Sequence, residues 1–335
     1  MPRFDMPLEA LRDYAPEIEA PDDFDTFWAT TLEESRALDA HVTVTPVVTA
    51  LTGVEVHDVT FPGFAGDPVK AWYLRPAGAP GPLPVVVEYV GYGGGRGLPH
   101  EHLAWPSAGY AYVVMDSRGQ GSVWGGGGGT ADPHGAGPAV PGFTTRGIEA
   151  PETYYYRRLF TDAVRCVDAV RGLPGIDPAR VVVAGVSQGG GTALAVAGLQ
   201  DGLAAALVDV PFCCHFSRAV GMTDADPYAE VARYLAVHRD RVDTVLRTLS
   251  YVDGVHFARR ATAPAFFSAA LLDVICPPST VFAAYNRYAG PKDITVYPYN
   301  NHEGGGVARW PEHARFLADL ATGTDAAVQG AGPWS

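Results

Sequence analysis

Residues 181–196 read VVVAGVSQGGGTALAV, an apolar run that passes through Gly-Val-Ser-Gln-Gly into an alanine-rich segment. The valines favour a buried strand, and the small residues that follow Gly191 favour a closely packed helix. A strand that turns into a helix within one or two residues strains the backbone at its apex, so Gly185 and Gly189 should carry no side chain. The pattern therefore predicts a strand–turn–helix unit that holds the hydroxyl of Ser187 clear of a sheet.

Ser187 in this setting is a candidate nucleophile that needs an imidazole to accept its proton and a carboxylate to orient the imidazole. In α/β-hydrolases the acid follows the serine along the chain and the histidine comes last. His302 lies in the loop NNHEGGG after a final apolar strand. Asp273 and Asp209 each follow a strand, and Asp273 is preferred because the last helix–strand unit comes directly after it. For the remaining histidines that follow the serine we expect packing or surface roles: His215, His238, His256 and His313.

Two backbone N–H groups are predicted to bind the oxyanion that forms when the serine attacks. Gln188 begins the helix after the serine, where unpaired donors and the helix dipole favour negative charge. Tyr92 lies in the glycine loop 91–97, GYGGGRG, directly after the apolar run 85–90. This loop has neither the G-x-G-x-x-G spacing nor a Gly-Lys-Ser/Thr sequence, so a nucleotide site is not favoured. We expect it to supply the second donor, from Tyr92.

The order of apolar and alternating segments predicts an α/β-hydrolase fold, with a mostly parallel, doubly wound sheet and an antiparallel N-terminal edge. The whole chain, 1–335, is predicted to form one domain. Residues 1–50 are a helical and strand extension, and 211–260 a helical, lid-like insertion. The predicted strands are 42–48, 54–61, 69–74, 85–90, 111–115, the run from 181 to the serine, 203–208, 264–271 and 294–297. The predicted helices include 22–38, 153–173, 227–238, 240–249, 277–288 and 311–320.

Composition limits the partners of the chain. It has 335 residues and a formal net charge of −13, so neither nucleic acid nor an anionic membrane surface is an expected partner. The first ten residues lack a basic start with an apolar run, and no stretch approaches the roughly 20 apolar residues that span a bilayer. We therefore expect a soluble protein that is not exported by a cleaved signal.

Three other features are interpreted without a catalytic or ligand-binding role. The four cysteines show no C-x-x-C spacing and are expected to be buried thiols in a reducing compartment. His100 and His102 lack a third ligand at metal spacing, so no metal site is predicted. Arg118 ends a strand and is expected to tie loops together rather than to contact substrate.

Taken together, several motifs resemble the acetyl xylan esterase and cephalosporin C deacetylase family of carbohydrate esterases. They are GYGGGRGLPH, RGQG, PGFTTRGI with PETYYYRR, GVSQGGG, DVPF, CPPSTVFAAYN and YPYNNHEGGG, and the likeness runs nearly from end to end. Position by position, the family's catalytic residues correspond to Ser187, Asp273 and His302, and its oxyanion donors to Tyr92 and Gln188. The resemblance also implies deacetylation of small acetylated sugars and of cephalosporin C, no cofactor, a cytoplasmic location and a homohexamer built as a trimer of dimers.

Two features depart from the family pattern. Val186 stands where the family commonly has glycine, and residues 124–137 are unusually rich in glycine.

Two other functions stay open. A serine peptidase of the prolyl oligopeptidase type shares the serine motif and the order of the partners. Such peptidases usually carry a large additional domain, for which the roughly 80 residues before residue 85 leave little room. A scaffold without activity that only binds carbohydrate is the alternative from another class.

Overall fold

A computed structural model describes residues 5–38, 41–135 and 137–323. Its strands form one nine-stranded sheet in the order β1-β2-β3-β5-β4-β6-β7-β8-β9. The strands are Thr43–Pro46 (β1), Val54–Pro62 (β2), Pro68–Pro76 (β3), Leu83–Tyr89 (β4), Ala111–Met115 (β5), Ile176–Val186 (β6), Ala205–Asp209 (β7), Ala265–Ala270 (β8) and Lys292–Tyr297 (β9). Pairing is antiparallel from β1 through β3 to β5 and parallel from β5 to β9. This is the predicted sheet with its antiparallel N-terminal edge.

Helices cover both faces of the sheet. They are Leu8–Arg12 (α1), Phe24–Arg36 (α2), Ala104–Ser107 (α3), Tyr155–Val170 (α4), Gln188–Leu199 (α5), Phe216–Ala219 (α6), Tyr228–Val237 (α7), Val242–Ser250 (α8), Gly254–Ala258 (α9), Pro278–Arg287 (α10) and Arg309–Thr322 (α11). In β4, Val85 and Val87 face the larger core, which includes α4 and α5, whereas Val86 faces a smaller core with Trp105 of α3 and Leu317 of α11. A continuous apolar run is needed here because alternate residues of the strand are buried on opposite faces.

The structure confirms each predicted strand and the longer predicted helices, with differences at the ends. Strand β6 begins at Ile176, before the valine run, because Ile176 pairs with Leu83 ahead of an irregularity in the β4–β6 ladder. No range was predicted for the short helices α1, α3, α6 and α9, since about one helical turn is too short to show a 3.6-residue period.

The insertion 211–260 contains the four helices α6 to α9. Helix α9 packs against α5, and its residues Val255 and Phe257 are fully buried in the larger core. Helix α7 instead contacts the loop of Tyr92, through Glu230. The lid-like role predicted for the whole insertion therefore does not extend to α9, which is part of the core. For the rest of the insertion that role stays a prediction.

Two further findings concern composition. All four cysteines are free and buried, as predicted. Among the residues that the structure describes, no helix combines the length and apolar character needed to cross a membrane.

Candidate active site

Ser187 lies at a tight turn between β6 and α5. Its backbone has φ 59° and ψ −119°, a region that side-chain-bearing residues rarely adopt. Close packing explains the flanking glycines, because a Cβ at Gly185 would overlap the backbone of Gly189, and one at Gly189 would overlap the carbonyl oxygen of Tyr89. The serine N–H donates to the Asp209 carbonyl over 3.0 Å, which helps to hold the strained turn.

Three side chains from distant parts of the chain meet at this turn. His302 Nε2 lies 2.9 Å from Ser187 Oγ, and His302 Nδ1 lies 2.9 Å from Asp273 Oδ2. The other carboxylate oxygen of Asp273 accepts the backbone N–H groups of Ile275 and Cys276, each over 2.9 Å. Asp273 is fully buried, whereas the imidazole is about a quarter exposed, at 24%. A proton on Nδ1 facing the carboxylate leaves Nε2 free to accept the serine proton.

The loop that carries His302 is fastened to the loop of Asp273. Asn301 Oδ1 accepts the N–H groups of His302 and Val274, over 2.9 and 3.2 Å. The turn also needs Gly304, whose φ is +52° and where a Cβ would lie 2.8 Å from Val210 Cγ1. Asn301 was not among the residues predicted from the sequence, although its place beside His302 in the motif NNHEGGG was a usable signal.

The two predicted oxyanion donors lie on neighbouring segments that a pair of glutamines connects. Gln188 is the first residue of α5. Its side-chain oxygen accepts Gln120 Nε2 over 2.9 Å, and the Gln120 oxygen accepts the N–H of Gly93 over 2.7 Å. Among the described residues, the backbone N–H groups of Tyr92 and Gln188 have no hydrogen-bond acceptor. The connection fixes the glycine loop against the start of α5 and leaves both N–H groups available. Sequence reasoning singled out RGQG without assigning this role to Gln120.

The side chain of Tyr92 is held by a buried carboxylate. Its hydroxyl donates to Glu230 Oε1 over 2.6 Å and accepts the N–H of Phe143 over 2.5 Å. The second oxygen of Glu230 accepts the N–H of Thr144 over 3.0 Å. Burial raises the pKa of Glu230, and the same cause raises the pKa of Tyr92 above its ordinary value. These bonds join α7 to the glycine loop 91–97, the predicted oxyanion loop. No local sequence pattern predicts this link.

Asp209, the other candidate acid, has different partners. Arg309 Nε lies 2.9 Å and His313 Nε2 3.0 Å from its two carboxylate oxygens. Burial alone would raise the pKa of Asp209, but the charges of His313 and Arg309 lower it to about 2. This carboxylate therefore ties α11 to β7, while Asp273 is the carboxylate that faces His302.

The remaining polar candidates have structural partners. Arg118 is fully buried and forms a paired contact with Asp162, at 2.5 and 2.7 Å, so it ties loops together as predicted. His102 Nε2 lies 2.7 Å from the carbonyl oxygen of Arg96. Within the described part of the chain, no three His, Cys, Asp or Glu side chains group as metal ligands would.

Comparison with known proteins identifies relatives of the whole chain. Residues 1–320 match the model of the acetyl xylan esterase (AXE1) family. The acetyl xylan esterase from Paenibacillus sp. R4 superposes with a TM-score of 0.88 and 40% identity, over 93% of this chain and 99% of that one. Acetyl xylan esterase 1 from Thermoanaerobacterium sp. JW/SL YS485 gives a TM-score of 0.87 and 31% identity, over 94% and 99% of the two chains.

A curated relative matches over a shorter stretch. The acetyl esterase Axe7A from Xylanibacter ruminicola is 30% identical over 166 residues, which are 48% of this chain and 36% of that protein. The match thus spans about a third of the relative. The family model and the two superposed structures both cover nearly all of this chain, and they confirm the α/β-hydrolase fold. The chain belongs to the acetyl xylan esterase family of carboxylic ester hydrolases.

Proposed function

We propose that this chain is a serine carboxylesterase that removes acetyl groups from small acetylated saccharides through an acetyl-enzyme intermediate. The observation that supports this most directly is the arrangement of Asp273, His302 and Ser187, joined by two contacts of 2.9 Å. Family membership supports the reaction class, and the names of the two superposed relatives support an acetylated xylan fragment as the substrate.

The reaction begins when Ser187 Oγ attacks the acetyl carbonyl carbon while His302 Nε2 takes the hydroxyl proton. The carbonyl oxygen becomes an oxyanion, which the N–H groups of Tyr92 and Gln188 bind. When the tetrahedral intermediate collapses, the bond to the sugar oxygen breaks and His302 returns the proton to that oxygen. The buried carboxylate of Asp273 stabilises the imidazolium at each stage and keeps the ring in the productive orientation.

A water molecule completes the cycle by the same route. His302 takes one proton from the water as its oxygen attacks the acetyl carbon, and acetate leaves when the bond to Ser187 Oγ breaks and the serine regains a proton. Each oxyanion donor is worth on the order of 3 kcal/mol in the barrier, or roughly a factor of 10² in kcat. Both tetrahedral intermediates use the same two donors.

The finer features of the proposal come from the family resemblance. They are activity on cephalosporin C, a homohexamer built as a trimer of dimers, a cytoplasmic location and the absence of a cofactor. Sedimentation velocity on the purified protein tests the oligomer, and acetate release from cephalosporin C tests the second substrate. Rates of hydrolysis for a series of esters from acetate to octanoate measure how long an acyl chain the active site accepts.

Two aspartate variants test the assignment of the acid. We expect Asp273→Asn to lower kcat for p-nitrophenyl acetate by about 10⁴-fold, because the amide cannot hold the imidazole in the required tautomer. Asp209→Asn is the matched control, since it weakens the contact with Arg309 and leaves the Asp273–His302 contact in place. Ser187→Ala should abolish turnover in a protein whose circular dichroism is unchanged.

Other outcomes would reject the proposal. Full activity in Ser187→Ala would show that the nucleophile is wrong. A larger loss of kcat in Asp209→Asn than in Asp273→Asn would show that Asp209, and not Asp273, is the catalytic acid. Faster cleavage of a proline amide than of p-nitrophenyl acetate would favour the peptidase alternative over an esterase.

A further inference from the structure

The glycines at 125–129 allow two loops to pack backbone against backbone. The N–H of Gly97 donates to the Gly127 carbonyl over 2.9 Å, and a Cβ at Gly95 would lie 2.5 Å from Gly128 Cα. A side chain at Gly95 would force the loops apart, because real Cβ atoms do not approach other atoms so closely. The glycine-rich stretch is therefore a closely packed cover on the oxyanion loop, and Trp124 lies at its start.

The indole of Trp124 lies on the oxyanion loop. Its Nε1–H donates to the carbonyl oxygen of Tyr92 over 2.7 Å. The ring atoms Cη2 and Cε2 lie 2.6 and 2.8 Å from the position that a Cβ at Gly94 would occupy, so one face of the ring covers that glycine. The residue is nevertheless 51% exposed. Because one face is covered and the N–H is paired, we infer that the opposite face of the indole is exposed.

The indole lies one glycine away from the residue that precedes the nucleophile. The Cβ position at Gly91 is 3.4 Å from Trp124 Cζ2 and 3.7 Å from the carbonyl oxygen of Val186, the residue before Ser187. Val186 is itself 43% exposed. The indole and the backbone of Val186 thus flank Gly91, which places Trp124 close to the turn that carries the serine.

We propose that the open face of Trp124 is a binding platform for the sugar ring that carries the acetyl group. A pyranose presents a face of C–H groups, which packs on an aromatic ring, while its hydroxyls remain hydrated. The indole carries no charge and its position is fixed by the bond to Tyr92, so little side-chain entropy is lost on binding. The inference rests on the proposed function, because that function supplies a sugar as the alcohol part of the ester.

A comparison of two acetate esters tests the platform. The alcohol of methyl acetate is too small to extend over the indole, whereas acetylated xylobiose would cover it. Trp124→Ala also loses the bond to the Tyr92 carbonyl, which would lower kcat/KM for both esters by the same factor, so the measured quantity is the ratio of the two kcat/KM values. We expect the ratio of acetylated xylobiose to methyl acetate to fall about tenfold, mainly through KM for xylobiose, which corresponds to about 1.4 kcal/mol. Trp124→Phe lacks the same bond but keeps an aromatic face, so it should recover part of the ratio. Val123→Ala is the matched control, because it removes another exposed apolar side chain from the same loop.

Binding measured without turnover separates this inference from the proposed function. Saturation-transfer NMR with xylobiose should show contact with Ser187→Ala and no contact with the Ser187→Ala, Trp124→Ala double variant. Equal losses in Trp124→Ala on both esters would show that the indole only supports the oxyanion loop, and unchanged kinetics on both would also overturn the platform. If sugar binding required Trp124 but the wild type hydrolysed no acetate ester, the platform would be supported and the proposed esterase function would be rejected.

Discussion

At the scale of single residues, Tyr92 has a predicted role through its backbone and an observed one through its side chain. The N–H is the proposed oxyanion donor, and the hydroxyl is bound by Glu230 and by the N–H of Phe143. The ring packs edge-on to Phe143 and Phe212, with centroids 5.5 and 6.5 Å away. Because a small shift of a donor weakens its bond to an oxyanion, these contacts connect the position of α7 with the rate of acyl transfer.

Removing the hydroxyl of Tyr92 should affect both rate and stability. In Tyr92→Phe the buried carboxylate of Glu230 loses one partner, so we expect a loss of about 1–3 kcal/mol in the free energy of unfolding. We also expect kcat for p-nitrophenyl acetate to fall while KM changes little. Tyr154→Phe is the control, because its buried hydroxyl donates to the Thr144 carbonyl over 2.8 Å and not to Glu230. Equal kcat values in the two variants would show that the Tyr92 hydroxyl does not position the donor.

At the scale of elements, the contact between α5 and α9 explains a glycine inside a helix. Gly198 lies near the end of α5, where alanine would ordinarily be the better helix former by about 1 kcal/mol. A Cβ at Gly198 would lie 2.5 Å from the carbonyl oxygen of Phe257 and 2.8 Å from its Cα. Those atoms belong to the backbone of α9 and cannot rotate away, so the whole of α9 would have to shift.

This contact reverses the usual effect of a glycine-to-alanine change. We expect Gly198→Ala to lower the free energy of unfolding by about 1–3 kcal/mol, because the overpacking outweighs the gain in helix propensity. Gly53→Ala provides the comparison, since a Cβ at Gly53 has no neighbour within 4 Å and its φ is not positive. Urea unfolding of both variants measures the difference. A free energy of unfolding higher in Gly198→Ala than in the wild type would mean that α9 can shift at little cost.

The same helix contains a buried histidine that should make stability depend on pH. His256 is fully buried, and neither ring nitrogen has a hydrogen-bond partner among the described residues. Burial, together with the charges of Arg259 and Arg260, lowers its pKa from 6.5 to about 4. Between these two values the unfolded chain binds a proton that the folded protein does not, so stability rises with pH in this range and falls on acidification.

His256→Leu should therefore flatten the acid side of the stability curve. Around pH 5 we expect unfolding of the variant to take up about one proton fewer than unfolding of the wild type. The slope of the free energy of unfolding against pH then falls by about 1.4 kcal/mol per pH unit. Burial also lowers the pKa of His215 to about 4. Because this histidine remains in the variant, part of the pH dependence of stability should persist. Urea unfolding at several pH values between 4 and 7 gives both slopes. An unchanged slope would show that His256 is protonated in the folded protein.

At the scale of the whole molecule, sequence patterns located the strands and the residues that follow them. Buried strands reveal themselves as apolar runs, and the ends of parallel strands meet at one edge, so Ser187, Asp273 and His302 could be chosen before any contact was known. Contacts between distant side chains leave no such local pattern. The bond from Gln120 to Gln188, the bond from Tyr92 to Glu230 and the burial of α9 therefore emerged only from the fold. The catalytic roles themselves stay predictions until the variants are measured.

The proposal of a single domain over 1–335 can be tested through cooperativity. The larger core contains Trp28 of α2, the central strands and α9, and Trp28 Nε1 donates to the Tyr251 carbonyl over 2.8 Å. The N-terminal extension and the insertion thus share buried contacts with the sheet, and neither has a separate core among the described residues. We expect tryptophan fluorescence and far-ultraviolet circular dichroism to give coincident unfolding curves in urea, at several protein concentrations. If the insertion unfolded first, the circular dichroism signal of its helices would be lost before the core fluorescence, and the single-domain proposal would be wrong.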